Sequence, residues 1–245
     1  MNAKDLPAVI LAAGKGKRLG ELTQRTPKPL LDIGGRPLLE WILTGLRDAG
    51  IRRFLIVVGH LGLQIVERVG DGSRLGISAQ YVWQTGVHGT GAALRLGEVF
   101  CGSGPVLMSF GDILTDPEHY RLVVQSWLRR PCAAVMGINP MDDVRSGAAV
   151  IREGDRVVRI VEKPGPEDPV SRWNQAGVTV FGPEIWPVLR QVPFSPRGEV
   201  ELTDAVGMLI AQGHEVRAVE FRGFWSDVGT LEALAYARSA WPLRA

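Results

Sequence analysis

Cysteine and histidine are scarce in this chain, with Cys101 and Cys132 the two cysteines and His60, His88, His119 and His214 the four histidines among 245 residues. The cysteines have neither metal-ligand spacing nor a disulfide framework, so they read as structural thiols of a reducing compartment. No two histidines stand at i, i+4, which argues against a helical zinc site. Long apolar runs are missing as well: nothing approaches the ~20 residues of a membrane span, and the N-terminus has no signal-peptide core. The expectation is a cytoplasmic protein with no membrane partner. A net charge of only +2, without basic runs interleaved with aromatics, speaks against nucleic-acid binding. Internal repeats and low-complexity tracts are absent too.

What the chain has is material for a core and a local concentration of positive charge. At 45% hydrophobic content its 245 residues suit one large α/β domain or two small ones. Residues 1–37 hold seven Lys/Arg against three Asp/Glu, which points to a small anionic ligand. The stretch VILAAGKGKRLGELTQRTPKPLL, Val9 to Leu31, carries most of the chemistry. Val9, Ile10 and Leu11 read as a buried strand, and Gly14 and Gly16 let the following backbone turn tightly with its N–H groups exposed. Such a turn cradles phosphates. Lys15, Lys17 and Arg18 sit in the turn and Lys28 follows, adding charge to the backbone donors, so a polyphosphate is the natural guest. A P-loop would need Gly-Lys-Ser/Thr after its second glycine, yet Gly20 precedes Glu21 and Leu22. A dinucleotide fingerprint would want a glycine where Leu19 stands. The plainer alternative is a surface turn with solvated charges.

β-branched or apolar runs near 8–12, 54–58, 77–83, 105–109 and 133–138 alternate with helical patterns, one from Pro37 to about Ala49 and one opened by Asp116-Pro117. This alternation predicts a mainly parallel sheet covered on both faces, with ligands at the carboxyl ends of the strands. After about residue 140 shorter strands (147–152, 156–162, 177–181) suggest an inserted lobe. A helix at 201–212, a strand at 215–221 and a helix at about 230–239 resume the β-α pattern of the first half. The expected organisation is a single domain over 1–245, with a nucleotide-binding part to about 140, a smaller lobe at about 141–200 and a return to the core sheet.

Asp112 follows the strand PVLMSF and Gly111, so its carboxylate should emerge at a strand end, where a hard cation could bridge it to phosphate. Asp227, in FWSDVGT beside Trp225, could share that cation, since magnesium needs few protein ligands when phosphate oxygens supply the rest. As alternatives, Asp112 is a turn aspartate and Glu162-Lys163 a surface ion pair. In the functional reading Glu162 accepts hydrogen bonds from hydroxyls and Lys163 holds a second phosphate against the first. Gln84, ahead of Gly89-Thr90-Gly91, offers an amide that both donates and accepts, as a base edge requires.

In order along the chain, LAAGKGKRL, TPKPLL, Gln84 through Gly89-Thr90, SFGD, EKP, ELTDA and WSDVGT resemble the sugar-1-phosphate nucleotidylyltransferases, from about residue 7 to about 239. The resemblance implies a Rossmann-like, glycosyltransferase-A-like three-layer α/β sandwich with a mainly parallel sheet and a smaller sugar-binding lobe. It implies a Mg²⁺-dependent reaction of an NTP with a sugar 1-phosphate, giving an NDP-sugar and pyrophosphate. It makes Gly14, Lys15, Gly16, Lys17 and Arg18 the triphosphate loop, entered through Leu11, Ala12 and Ala13, with Arg18 near the β- and γ-phosphates and Lys28 on the α-phosphate. Gln84, Gly89 and Thr90 fall on the base side, and Asp112 and Asp227 on the metal. Gly147, Glu162, Lys163, Gln175, Gly177 and Trp225 fall on the sugar and its phosphate, with Arg18, Lys28 and Lys163 as the catalytic cations.

Two departures bear on the sugar: Gln175-Ala176-Gly177 stands where many relatives have Asn-Ala-Gly, and Ser146 where many have an aromatic. UTP or dTTP with glucose 1-phosphate leads. An amino-sugar phosphate, or GTP or CTP with a mannose, heptose or cyclitol or other alcohol phosphate, is the alternative, and a homo-oligomer is compatible with the sequence. A glycosyltransferase would want a second acid where Leu114 stands, and a silent regulatory module would have lost Arg18 or the aspartates. No hexapeptide repeat follows residue 239, so no fused acetyltransferase is expected.

Overall fold

A computed structural model describes residues 1–86, 89–168 and 171–241; His88 lies outside the described residues. In chain order the strands are β1 (Ala8–Ala12), β2 (Asp32–Ile33), β3 (Arg36–Pro37), β4 (Arg53–Val58), β5 (Ser78–Trp83), β6 (Val106–Phe110) and β7 (Ile113–Thr115). They continue with β8 (Ala134–Pro140), β9 (Ala148–Glu153), β10 (Arg156–Glu162), β11 (Trp173–Phe181), β12 (Val216–Glu220) and β13 (Trp225–Asp227). The helices are α1 (Leu22–Arg25), α2 (Leu38–Asp48), α3 (Gly62–Val69), α4 (Thr90–Arg95), α5 (Glu98–Cys101), α6 (Pro117–Arg129), α7 (Ile185–Leu189), α8 (Leu202–Ala211) and α9 (Leu231–Ala240). No described helix is long and apolar enough to cross a membrane.

One nine-stranded sheet in the order β5-β4-β1-β6-β11-β8-β12-β10-β9 forms the middle layer. Successive residues of its strands face opposite sides. Ile10 and Ile56 join the core under α2, α3, α6 and α9, whereas Val9, Leu55 and Val57 join the core under α4, α7 and α8. That alternation is the period of a pleated strand buried on both faces, so the sandwich has three layers. Helix α2 buries Leu38, Leu39, Ile42, Leu43 and Leu46, the stripe expected of a core-facing helix.

The sheet is mixed, which corrects the expectation of a mainly parallel one. β5, β4, β1 and β6 are parallel neighbours, as are β8 and β12, but β11 runs antiparallel to β6 and β8, and β10 antiparallel to β12 and β9. The β-α alternation that suggested parallel pairing stops at β8. Among the described residues of 148–181 there is no crossover helix, and the short turn between β9 and β10 has them pair antiparallel. Strands β9 and β10 thereby extend the same sheet, and β9 also touches β11 through Ala149 and Asn174. β11 starts at Trp173, ahead of the expected 177. Gly177 had read as its beginning, but instead breaks the register against β8 between Gln175 and Thr179 with a φ of +82°.

Outside the sheet, β7 and β13 form a small antiparallel ribbon. The segment that leads into β13 packs Phe221 over the backbone of β8, where a Cβ on Gly137 would overlap the Phe221 ring. The ring is 3% exposed and has no free side to move into. Gly137→Ala is therefore expected to lower unfolding free energy by about 1–3 kcal/mol, read as a lower urea midpoint at unchanged slope; an unchanged midpoint would show the ring to be movable.

Candidate active site

The carboxyl ends of β1 and β6, together with the β7–β13 ribbon, bring the singled-out residues together. After β1 the chain turns through Gly16, whose φ of +63° is left-handed and leaves its carbonyl to accept from Thr23 Oγ1 at 3.0 Å. A short turn over Lys17–Leu19 follows, and a second over Lys28–Leu30 places Lys28 beneath the loop. Lys28 is 7% exposed. Its Nζ donates to Asp112 Oδ2 at 2.8 Å and to Asp227 Oδ1 at 3.0 Å. Burial by itself would lower the Lys28 pKa, but the two carboxylates outweigh it and the net direction is up. The ammonium is thus held charged. Arg18, whose side chain is 65% exposed, reaches Asp227 more loosely, Nη2 to Oδ2 at 3.9 Å.

Two carboxylates meet at one buried cation, with the exposed Arg18 as a looser second one, so negative charge exceeds positive in the buried part of the centre. The consequence falls on Asp227, whose carboxyl is pushed above its ordinary value by burial and by Asp112, against the pull of Lys28 and Arg18. Hard oxygen donors in excess over the local cations are the donor set a magnesium ion takes, with its remaining positions left for phosphate and water. Asp112 and Asp227 fit such an ion.

Three adjoining cavities meet at Asp112. The first, about 220 Å³, is walled by Leu11, Ala12, Gly14, Gly16, Lys17, Arg18 and Lys28. The second, about 760 Å³, runs from Ala13 and Lys15 past Trp83 and Gln84 to Gly89 and Thr90. Gln84 Nε2 donates to Gly89 O at 3.1 Å, and Leu202 N donates to Thr90 Oγ1 at 3.0 Å, tying this wall to the start of α8. The third, about 610 Å³, is bounded by Gly147, Glu162, Gln175, Trp225 and Asp227. Gln175 is 7% exposed, and its Nε2 has no partner among the described residues.

Two expected residues do not reach the cleft walls. Lys163 is exposed, with a left-handed φ of +44° and its backbone N–H donating to Gly147 O at 2.8 Å. Gly177 lies behind the wall, where a side chain would overlap Ile113 and Phe110. Sequence reasoning in turn missed Arg197, His60, Trp83, Glu201 and Thr203. Arg197 Nη2 lies 2.7 Å from Glu201 Oε1 and 3.5 Å from Glu162 Oε1. The signal was present, because Arg197-Gly198 stands just ahead of ELTDA, but nothing in the letters paired it with Glu162.

Known proteins resemble this chain over most of its length. The family model described as nucleotidyl transferase matches residues 7–241. The chain belongs to the nucleotidyl transferase family. Among curated members, a glucose-1-phosphate thymidylyltransferase of Streptomyces griseus is 33% identical over 226 residues, 92% of this chain and 63% of that protein. One from Neisseria gonorrhoeae is 32% identical over 237 residues, 96% of this chain and 82% of that protein. A Bacillus anthracis structure assigned as a glucose-1-phosphate thymidylyltransferase, solved with sucrose, superposes with a TM-score of 0.86 at 27% identity, covering 96% of this chain and 94% of that one. Several relatives are longer, and this family member spans 51–65% of three of them.

Glu162 yields a pH prediction. Its carboxyl is pushed above the ordinary 4.5 by burial first and Glu201 second, against Arg197 and Lys163. Between the unfolded and folded values the native state holds the extra proton, so stability falls as pH rises through that window. Glu162→Gln cannot ionise, and its melting temperature relative to wild type is expected to climb from pH 4 to pH 7. A constant difference across that range would contradict the assigned shift.

Proposed function

We propose that the chain joins a nucleoside triphosphate to a sugar 1-phosphate and releases pyrophosphate. The observation that carries this reading is the buried Lys28 ammonium between Asp112 and Asp227, at the junction of a glycine-lined cavity and two larger ones. The first cavity suits a triphosphate, with backbone donors of the 14–18 loop and the Arg18 guanidinium facing it. The cavity past Gln84 and Gly89 suits a base, and the cavity at Glu162 and Gln175 a sugar. The unpaired Gln175 Nε2 favours an acceptor oxygen on the guest, since a buried donor left without one costs free energy.

In the proposed reaction an oxygen of the sugar phosphate attacks the α-phosphorus in line and pyrophosphate leaves on the far side. No protein nucleophile takes part. The barrier is the approach of two polyanions, so the work of the protein is to align them and to present positive charge where water is excluded. Lys28 is already oriented for the α-phosphate by its two carboxylates, and Arg18 covers the outer phosphates. Lys163, exposed and near enough to Glu162 to bear on its charge, is assigned to the acceptor phosphate. Asp112 and Asp227 would hold Mg²⁺. The ion, when bound, neutralises phosphate charge and fixes the triphosphate's orientation.

The relatives named glucose-1-phosphate thymidylyltransferase favour dTTP or UTP with glucose 1-phosphate as the pair to try first. A matrix of the four ribonucleotides and dTTP against glucose, mannose, heptose and amino-sugar 1-phosphates, scored by pyrophosphate release, is expected to single out one combination. No release from any pair would refute the reading.

Lys28→Ala is expected to cut turnover on the order of 100-fold or more, and Asp112→Asn to abolish magnesium-dependent turnover in a folded protein. Steady-state rates within a few-fold of wild type would remove these residues from the mechanism.

A further inference from the structure

Asp227 ends a strand that pairs outside the main sheet and is tied to it through Trp225 Nε1, which donates to Ala176 O of β11 at 3.0 Å. Strands β7 and β13 are three residues each and pair Ile113 with Asp227, Leu114 with Ser226 and Thr115 with Trp225. A two-stranded ribbon of this length is marginal alone, and a slip of one residue would turn Asp227 to the opposite face. Near the aspartates the register is held by Val228 N donating to Asp112 O at 3.1 Å. At the far end it is held by side chains at the start of α6.

There Thr115 Oγ1 lies 2.5 Å from His119 Nδ1 and 3.1 Å from Phe224 O, and His119 Nε2 lies 2.8 Å from Arg222 O. Asp116, expected to cap α6, instead accepts from Phe224 N through Oδ2 at 2.8 Å, while its own N–H donates to Phe224 O at 3.1 Å. The imidazole is 2% exposed and lies flat on Phe221, with centroids 4.2 Å apart and planes 7° off parallel. With the ring proton on Nε2, the imidazole donates to Arg222 O and accepts from the Thr115 hydroxyl, whose single proton then goes to Nδ1 and leaves Phe224 O to the Asp116 N–H. Burial lowers the His119 pKa despite the Arg222 carbonyl, Asp116 and Glu118, in keeping with that neutral form.

We infer that His119, acting with Thr115, is a positioning residue for nucleotidyl transfer: it locks β13 against β7 and so sets Asp112 and Asp227 on the two sides of Lys28. Neither side chain lines the cleft. The inference rests on the proposed reaction for its kinetic readout and on the ribbon alone for its structural one.

The test uses three substitutions in the full chain. His119→Phe keeps the stack on Phe221 and removes both nitrogen contacts; Thr115→Val keeps the shape and β-branching and removes the hydroxyl; His119→Gln restores a donor able to reach Arg222 O. In the active combination of substrates, kcat is expected to fall about 10-fold or more in His119→Phe and Thr115→Val, with the nucleotide KM moving less than about threefold. His119→Gln recovers part of the loss, and the double variant loses less than the product of the singles, as members of one unit do. Crystal structures of the variants show at least one Lys28 contact to Asp112 or Asp227 lengthened. Should His119→Phe fail to fold, Thr115→Val carries the same comparison. A folded variant with kcat within twofold of wild type and both Lys28 contacts intact overturns the inference. If the wild type turns over no substrate pair, the functional proposal fails, and the variant structures by themselves decide the positioning role.

Discussion

A single ammonium organises the cleft. Lys28 is drawn to Asp112 and Asp227, residues 84 and 199 positions further along the chain, and the three meet only because β1, β6 and the β7–β13 ribbon end at the same place. A buried lysine with one carboxylate would be a neutral pair; the second carboxylate is met more loosely, by the exposed Arg18 at 3.9 Å. Breaking this triad would leave uncompensated charge behind, so fold and site share one electrostatic constraint. The same ion pairs tie the amino-terminal loop to the ends of β6 and β13.

A second charge cluster stands on the other side of the cleft. Arg197 lies between Glu162 and Glu201, much as Lys28 lies between its aspartates, but at a more exposed position and with a looser contact to Glu162. The contrast follows from burial. Lys28 is fixed beneath the loop and has little freedom, whereas Arg197 sits on the stretch before α8 and keeps its solvent contact. Of the two, the buried centre is the better preorganised, and preorganised charge is what lowers a barrier between like-charged reactants.

Much of this was legible in the letters. β1, β4, β6 and β8 announced themselves as apolar runs because both of their faces are buried, and α2 and α6 by their stripes and by proline at a helix start. The glycine-rich loop and Asp112 were legible because a strand end followed by glycine leaves few other uses for charged residues. The antiparallel insertion of β11 was not, since periodicity reports burial and not strand direction. Nor were the partners of Lys28: a lysine before proline says nothing of which carboxylates fold against it. His119 was passed over as one scattered histidine, because its importance lies in Thr115 and Arg222 O, which only the tertiary structure brings to its two nitrogens. Lys163 was singled out by its place after the Glu162 strand end, but its exposure and left-handed backbone could not be read from the letters.

The most direct test of the central claim is a crystal structure of the chain with dTTP or UTP and Mg²⁺. The account requires triphosphate density along Gly14 to Arg18, the α-phosphate within hydrogen-bonding reach of Lys28, and one metal ion touching carboxylate oxygens of both Asp112 and Asp227. Triphosphate bound elsewhere, or a metal that leaves either aspartate untouched, would contradict it.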